Sequence, residues 1–250
     1  MTTPDTTMGS APRPPRRAGR TRRIVLIVGL VIVLVVAGGA AGLEAWARGH
    51  YSNCIASQLD KSLGTKVSVH FGLKPLVFTY FDHNVGSVTV DANDAQFGPA
   101  TGVKVHATLD DIALKNANTT TVGGFKADAI WGDDSIAQSL GGLVSGVQSN
   151  PAAGTLDIKA LGGLGELQLR PHIVGNQIQV DTVNADVLGF GIPTDLVDGI
   201  VKTISAGLQN YPLNVSPTAL KVTDTGIDVT LSGSNITLQN DPNATINTTC

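Results

Sequence analysis

A single uncharged run over residues 24–43 constrains this chain more than any other stretch of it. The run holds 20 residues, mostly Val, Ile, Leu, Gly and Ala. Because a helix rises about 1.5 Å per residue, a helical run of this length would cover about 30 Å, the thickness of a bilayer's hydrocarbon core. A helix also satisfies its own backbone hydrogen bonds in lipid. The run therefore predicts a transmembrane helix or uncleaved signal anchor.

The charges around the run predict its orientation. Six arginines precede it, and only Glu44 and Arg48 follow it closely, so the positive-inside rule places residues 1–23 in the cytoplasm and residues 44–250 outside. The Pro- and Arg-rich head has almost nothing apolar to bury and is predicted to be disordered. The alternative is a cleaved secretory signal, because residues 45–47 have the small-x-small form of a cleavage site. On either interpretation the main domain lies in the periplasmic space or cell envelope, and with an uncleaved anchor the protein is a single-pass protein of the cell membrane.

The charge balance beyond residue 43 argues against a nucleic-acid partner. With the six head arginines and Asp5 set aside, 11 basic and 19 acidic residues remain, a net charge of about −8. A protein that neutralises phosphates needs the opposite sign. Aromatic residues make up only 4% of the chain. The apolar content is mainly aliphatic, which suits a core or an acyl chain better than a groove for rings.

Apolar residues recur with period two in many short segments, which is typical of strands with one buried face. Residues 103–109 and 125–131 are clear examples. The phase slips at residues 110–111, and this slip predicts a β-bulge. Helical spacing of apolar residues occurs in three segments, residues 44–63, 133–150 and 192–210.

The order of these elements predicts an α+β fold. Strands occur in clusters between the helices, which favours antiparallel meanders over βαβ units. Three helices are too few to cover so many strands, so we expect a strongly curved antiparallel sheet wrapped around them, with an aliphatic slot for a lipid tail. Ordinary core packing is the alternative for each residue predicted to line this slot. Those residues are Val105, Leu109, Leu140, Leu143, Val144, Ile178, Leu196, Ile200, Ile204 and Val229.

The sequence offers no motif for catalysis or metal binding. The five histidines lack the paired spacing of a metal site, and the acidic pairs at residues 110–111 and 133–134 are neighbours in sequence only. We therefore predict no catalytic residue, no metal and no cofactor. Cysteines outside the cytoplasm tend to pair, which predicts a disulfide between Cys54 and Cys250. Two free thiols are the alternative.

The last part of the chain resembles the LmeA-like phospholipid-binding family of actinobacterial cell envelopes. The resemblance rests on the Pro-initiated helix over residues 192–210, the Tyr-Pro-Leu turn that follows it, and the hairpin over residues 220–238. The basic head, the single apolar span and the helix after it are also similar to that family. The matching hairpin residues are Val222, Thr223, Asp224, Gly226, Ile227, Val229, Thr230, Leu231, Gly233, Asn235, Ile236 and Leu238.

The resemblance implies an extracytoplasmic domain, residues 44–250, with a fold related to tubular lipid-binding proteins. It also implies a phospholipid ligand and a supporting role in the biosynthesis of mannan-type envelope glycolipids or in lipid transport, with an envelope biosynthetic enzyme as a partner. Two alternatives stay open. One is an envelope enzyme whose carboxylates converge on a glycolipid, and the other is a structural partner of a membrane protein.

Overall fold

The computed structural model describes residues 18–116, 119–187, 190–191, 193–209, 211 and 215–239, and of residues 18–38, 40, 62, 116, 187, 190–191 and 239 it describes the backbone alone. The chain divides into two compact units, Met1–Ala45 and Trp46–Cys250. Helix α1 (Ala18–Leu63) contributes its first part to the first unit and its last part, from Trp46, to the second.

The membrane span predicted over residues 24–43 falls mostly outside the residues whose side chains are described. Within the described part of the chain, no helix is long and apolar enough to cross a membrane. The head predicted over residues 1–23 also lies mostly outside it, although α1 already begins at Ala18. Both predictions therefore stay predictions.

The second unit contains helices and strands in clusters. In chain order they are β1 (Val67–Phe71), α2 (Leu76–Asp82), β2 (Asn84–Phe97), β3 (Ala100–Asn116), β4 (Thr119–Gly132), α3 (Asp133–Ser139), β5 (Val144–Asn150), β6 (Thr155–Ala160), β7 (Gly165–Val174), β8 (Gln177–Val187), β9 (Phe190–Gly191), α4 (Thr194–Gln209), β10 (Ser216–Thr223) and β11 (Gly226–Gln239).

The strands form two antiparallel sheets, and the predicted α+β class is confirmed. A six-stranded sheet has the order β1-β2-β3-β4-β11-β10, and a five-stranded sheet has the order β5-β6-β7-β8-β9. The C-terminal hairpin of β10 and β11 pairs with β4 through β11, so it belongs to the same sheet as β1 to β4. One sheet was expected and two are found, because the chain leaves the first sheet through α3 and pairs with itself afterwards.

The helix predicted over residues 133–150 is wrong in its second half. Helix α3 ends at Ser139, and after a short 3-10 turn the chain continues as β5, which pairs with β6. Gly141 has a φ of 60° and begins that turn with Gly142, and glycine is a poor helix former. The three-residue spacing of Val144 and Val147, which had suggested a helix, coincides with a register shift between Val144 and Gly146.

The phase slip predicted at residues 110–111 is real, but it is not a bulge in the pairing. Asp111 has a φ of 52°, and the register of β3 with β2 and β4 is the same on both sides of it. On β11, Asn235 has a φ of 53° at the equivalent level. Neighbouring strands thus change phase along one line across the sheet, which preserves their register and keeps their apolar side chains on one face, because Ile112 packs in the same cluster as Val88 and Val90.

Side chains at and just after the end of α4 bind the backbone of β8 at Ile178. The Ile178 backbone N–H donates to the Tyr211 hydroxyl at 3.3 Å, and the Gln209 amide donates to the Ile178 carbonyl at 2.8 Å. Ile178 itself is fully buried, so its backbone groups would otherwise lack partners away from water. These two bonds fix the end of α4 to the five-stranded sheet.

We expect Tyr211→Phe to destabilise the domain by about 1 kcal/mol, because it removes the acceptor for a buried N–H. Burial raises the pKa of Tyr211 above its ordinary value. A raised pKa gives stability that is fully present below the unfolded value of about 10 and lost as the pH rises through the folded value. Denaturant titrations at neutral and alkaline pH measure both effects. Equal stability of the two proteins at neutral pH would contradict this role.

The predicted disulfide joins one described cysteine to one that lies outside the described residues. Cys54 lies on α1, whereas Cys250 lies outside the described residues. No free cysteine is found among the described residues. The bridge stays a prediction. We expect the purified protein to react with no alkylating reagent until it is reduced. In the chain-entropy model, removal of a disulfide that closes so long a loop destabilises the folded domain by about 5 kcal/mol. Alkylation of both thiols without reductant, followed by mass spectrometry, would contradict the bridge.

Candidate functional site: a half-buried strip on the six-stranded sheet

One face of the six-stranded sheet carries nearly all of its apolar side chains, and we call it the inner face. Paired residues of adjacent strands place their side chains on the same face, and the register puts Val105 beside Ala129 and Ala129 beside Val229. Two different parts of the chain cover this face at its two ends.

The last part of α1 covers the β1 and β2 end of the inner face. Its apolar stripe packs on buried residues of β1 and β2, among them Val67, Val69 and Ala92. The stripe follows the spacing predicted for residues 44–63 and consists of Ile55, Ala56, Leu59 and Leu63.

The five-stranded sheet, α3 and α4 cover the other end of the inner face. Ile136 of α3 and Ile200 and Ile204 of α4 are fully buried there, together with Leu156 and Leu169 of the five-stranded sheet. Helix α4 packs against β8 and also against β3. This end is a conventional closed core.

A half-buried strip lies between the two covers. Val90, Val105, Leu109 and Ala129 are apolar residues of the inner face that are only partly buried. Val90 and Val105 pack against both core clusters, so the strip is continuous with each of them. Because strands rise about 3.3 Å per residue, Val105 and Leu109 are about 13 Å apart along β3.

Helix α4, which packs against β3, also carries half-buried apolar residues. Leu196, Val197 and Val201 are half-buried beside the fully buried residues of the same helix. The strip residues Val90, Val105, Leu109 and Ala129 are uncharged, whereas α4 carries exposed Asp195, Asp198 and Lys202 between its apolar residues. The apolar residues of the strip can bind methylene groups by burial and dispersion.

The structure divides the ten predicted lining residues into three groups. Val105, Leu109 and Leu196 are half-buried at the strip, and Leu140, Ile178, Ile200, Ile204 and Val229 are buried in the closed core. Leu143 is exposed in the turn after α3, and Val144 is half-buried at the start of β5. For each of the ten predicted residues, contact with lipid stays a prediction. The other half-buried apolar residues of the strip and of α4, Val90, Ala129, Val197 and Val201, were not among the predicted lining residues.

Two cavities found among the described residues are polar. One of about 450 Å³ lies between the end of α1, the β2–β3 hairpin and α3, with Asp94, Gln96 and Ser139 in its wall. The other, of about 350 Å³, has Asp157, Lys159 and Glu166 among its lining residues on the five-stranded sheet. Neither contains any of the ten predicted residues.

Two titratable groups with ion-pair partners, Asp82 and His106, are not part of the strip. Lys74 lowers the pKa of Asp82 through a hydrogen bond, and Asp82 belongs to α2. His106 contacts Asp91 at 2.6 Å on the opposite face of the sheet. Within the described part of the chain, no group of three or more His, Cys, Asp or Glu residues could hold a metal ion.

Comparison with known proteins identifies the family of the chain. A family model of LmeA-like phospholipid-binding proteins matches residues 38–232, more than three quarters of the chain. The chain belongs to the LmeA-like phospholipid-binding family. This confirms the family that the C-terminal hairpin indicated.

Similar proteins occur in mycobacteria. Uncharacterized proteins of Mycobacterium bovis and of two strains of Mycobacterium tuberculosis are 26% identical to the chain over 225 residues. The match covers 85% of this chain and 64% of each relative, so the chain spans less than two thirds of their length. No solved structure matches the chain.

Proposed function

We propose that this LmeA-like protein holds an acyl chain of a phospholipid along the half-buried strip, between the last part of α1 and α4. The observation that carries this proposal is the position of Val90, Val105 and Leu109. They lie on an otherwise buried face at the place where its two covers stop. Each half-exposed aliphatic side chain gains about 25 cal/mol for every Å² that a lipid tail covers.

The proposal includes the location of the domain. We propose that residues 24–43 anchor the chain in the cell membrane as a single pass, with the basic head in the cytoplasm and the domain on the outer side. The apolar run and the six arginines before it support this orientation. A cleaved signal would leave the same domain outside without its anchor.

We further propose that the protein acts without catalysis, as a lipid carrier or presenter. The membership in a phospholipid-binding family and the purely aliphatic strip support this function. A supporting role for an enzyme of mannan-type glycolipid biosynthesis, or for lipid transport, is the form that the family resemblance suggests. That role needs a partner, and we propose an envelope biosynthetic enzyme.

The test compares two neighbouring substitutions in the full chain. Val105→Asn places an amide in the strip, where burying it without a partner is unfavourable. We expect this variant to lose most of its co-purifying phospholipid in lipid extracts and native mass spectra, after transfer to lipid-free amphipol. Lys104→Asn changes the exposed side chain next to it and serves as the matched control.

The expected control result is lipid content equal to that of the unchanged protein. A thermal melt of both variants separates lost lipid binding from lost folding. If Val105→Asn folds normally and keeps its full lipid content, the strip is not the binding site.

A further inference from the structure

Helix α2 presents an exposed apolar surface. None of its residues is buried, although its sequence is Leu-Val-Phe-Thr-Tyr-Phe-Asp. Leu73, just before it, is 99% exposed, Tyr80 is 82% exposed and Phe81 is 74% exposed. We call Leu73, Val77, Phe78, Tyr80 and Phe81 the α2 surface. Contiguous apolar exposure of this kind marks an interaction site on most soluble domains.

The segment before α2 is firmly held to the rest of the domain. The Arg48 guanidinium donates to the carbonyls of Phe71, Gly72 and Lys74 at 3.2, 2.7 and 2.9 Å. The Gly72 N–H donates to the Ser87 carbonyl at 2.9 Å. A Cβ at Gly72 would lie 2.1 Å from the Ser87 hydroxyl oxygen, so a larger residue there would require the Ser87 side chain to move.

Polar groups at both ends of α2 are used to position it. The Lys74 ammonium binds Asp82 at 2.6 Å and donates to the Asn84 carbonyl at 2.7 Å. The Leu114 N–H donates to the His83 carbonyl at 2.8 Å, which joins the end of α2 to β3. These hydrogen bonds fix both ends of α2, so the exposure of the α2 surface is a property of the fold.

Chain length limits how far this surface can be from the end of the apolar run. Arg48 is five residues after Leu43, and five residues span at most about 18 Å even when fully extended. Because Arg48 is bonded directly to the segment before α2, the α2 surface must lie near whatever holds residues 24–43. If that is a bilayer, the nearest large apolar partner for α2 is the surface of the same bilayer.

The composition of the α2 surface suits a membrane interface. Phe and Leu can enter the acyl boundary, while Tyr places its hydroxyl at the head groups. The C-terminal segment over residues 240–250 is an unsuitable cover, because its only aliphatic side chains are those of Ala244 and Ile246.

We propose that the α2 surface inserts into the interface of the bilayer that holds residues 24–43, so that the domain stands on the membrane with the α2 end down. This inference rests on the proposed anchor. It also gives the strip an orientation, because β3 runs from Val105 and Leu109 towards Leu114, which is bonded to the end of α2. A lipid tail leaving the bilayer beside α2 would therefore meet the Leu109 end of the strip first.

Tryptophan placed on the α2 surface tests the insertion. The full chain carrying Phe81→Trp is reconstituted into vesicles of phosphatidylcholine with phosphatidylglycerol, with or without bromine on the acyl chains. We expect brominated lipid to remove most of the emission added by the new tryptophan relative to the unchanged protein. Ile130→Trp, at an exposed position on the opposite face of β4, is the matched control, and its added emission should be almost unchanged.

Flotation of the same vesicles separates the two proposals. A protein that does not float with the vesicles contradicts the anchor. A protein that floats, but whose Phe81→Trp emission is quenched no more than that of Ile130→Trp, overturns insertion of α2 while leaving the anchor in place. Unquenched emission together with cross-linked pairs of the protein would assign the surface to a second copy and overturn the proposal as well.

Discussion

Ile200→Asp is expected to unfold the domain, not to empty a lipid site. The Ile200 side chain is fully buried among residues of both sheets, and an unpaired carboxylate there is not compensated by any charged partner in that core cluster. We expect a loss of more than about 4 kcal/mol, which exceeds the effect of most single substitutions. Urea unfolding followed by circular dichroism measures it.

Lys202→Asp is the control for this substitution, because Lys202 lies on the exposed side of the same helix. Its stability should change by less than about 0.5 kcal/mol, as is usual at exposed positions. A folded Ile200→Asp protein with a wild-type midpoint would mean that α4 does not bury this face.

Gly226→Ala is expected to have the second-largest effect. Gly226 opens β11 with a φ of 153°, and a Cβ there would lie 2.3 Å from the Trp131 carbonyl oxygen and 2.8 Å from the Gly132 Cα. Both neighbours are backbone atoms, so β11 would have to move away from β4, with which it pairs along its length. Strain and displacement together should cost about 3 kcal/mol.

Gly142→Ala is the matched glycine control. No heavy atom lies within 4 Å of the Cβ position at Gly142, so alanine there should leave the midpoint of thermal unfolding almost unchanged. Equal midpoints for the two variants would contradict the close packing of β11 on β4 at this turn.

The strands were predictable because their apolar spacing is local. Residues 103–109 and 125–131 lie in β3 and β4 as expected, and the C-terminal pattern over residues 220–238 is the hairpin of β10 and β11. Helix α4 was predictable for the same reason, since Ile200, Ile204 and Leu208 form its buried side. The spacing of apolar side chains along a segment follows from the backbone geometry of that segment alone.

The division into two sheets was not predictable from spacing. A period of three residues over Val144 and Val147 fits both a helix and a strand with an irregular register, and only the pairing of β5 with β6 decides between them. Gly141 and Gly142 argue against a continuous helix, because glycine has a low helix propensity. The prediction of a helix gave more weight to the apolar spacing than to these two glycines.

The strip could be predicted only in part. Val105 and Leu109 were identified by their strand pattern, but nothing in that pattern distinguishes them from Val229, which the structure buries. The difference arises because α1 covers one end of the inner face and α4 with the five-stranded sheet covers the other. Where two distant covers stop is a property of tertiary packing, so no local signal records it.

Photolabelling tests the central claim most directly. The full chain is incubated with a phospholipid that carries a diazirine near the end of one acyl chain, irradiated, and digested for mass spectrometry. Lipid in the half-buried strip predicts adducts on the strand segments around Val90, Val105 and Leu109 and on the half-buried side of α4, with loss of these adducts in Val105→Asn. Adducts confined to α2 or to the five-stranded sheet, or unchanged by that substitution, would contradict it.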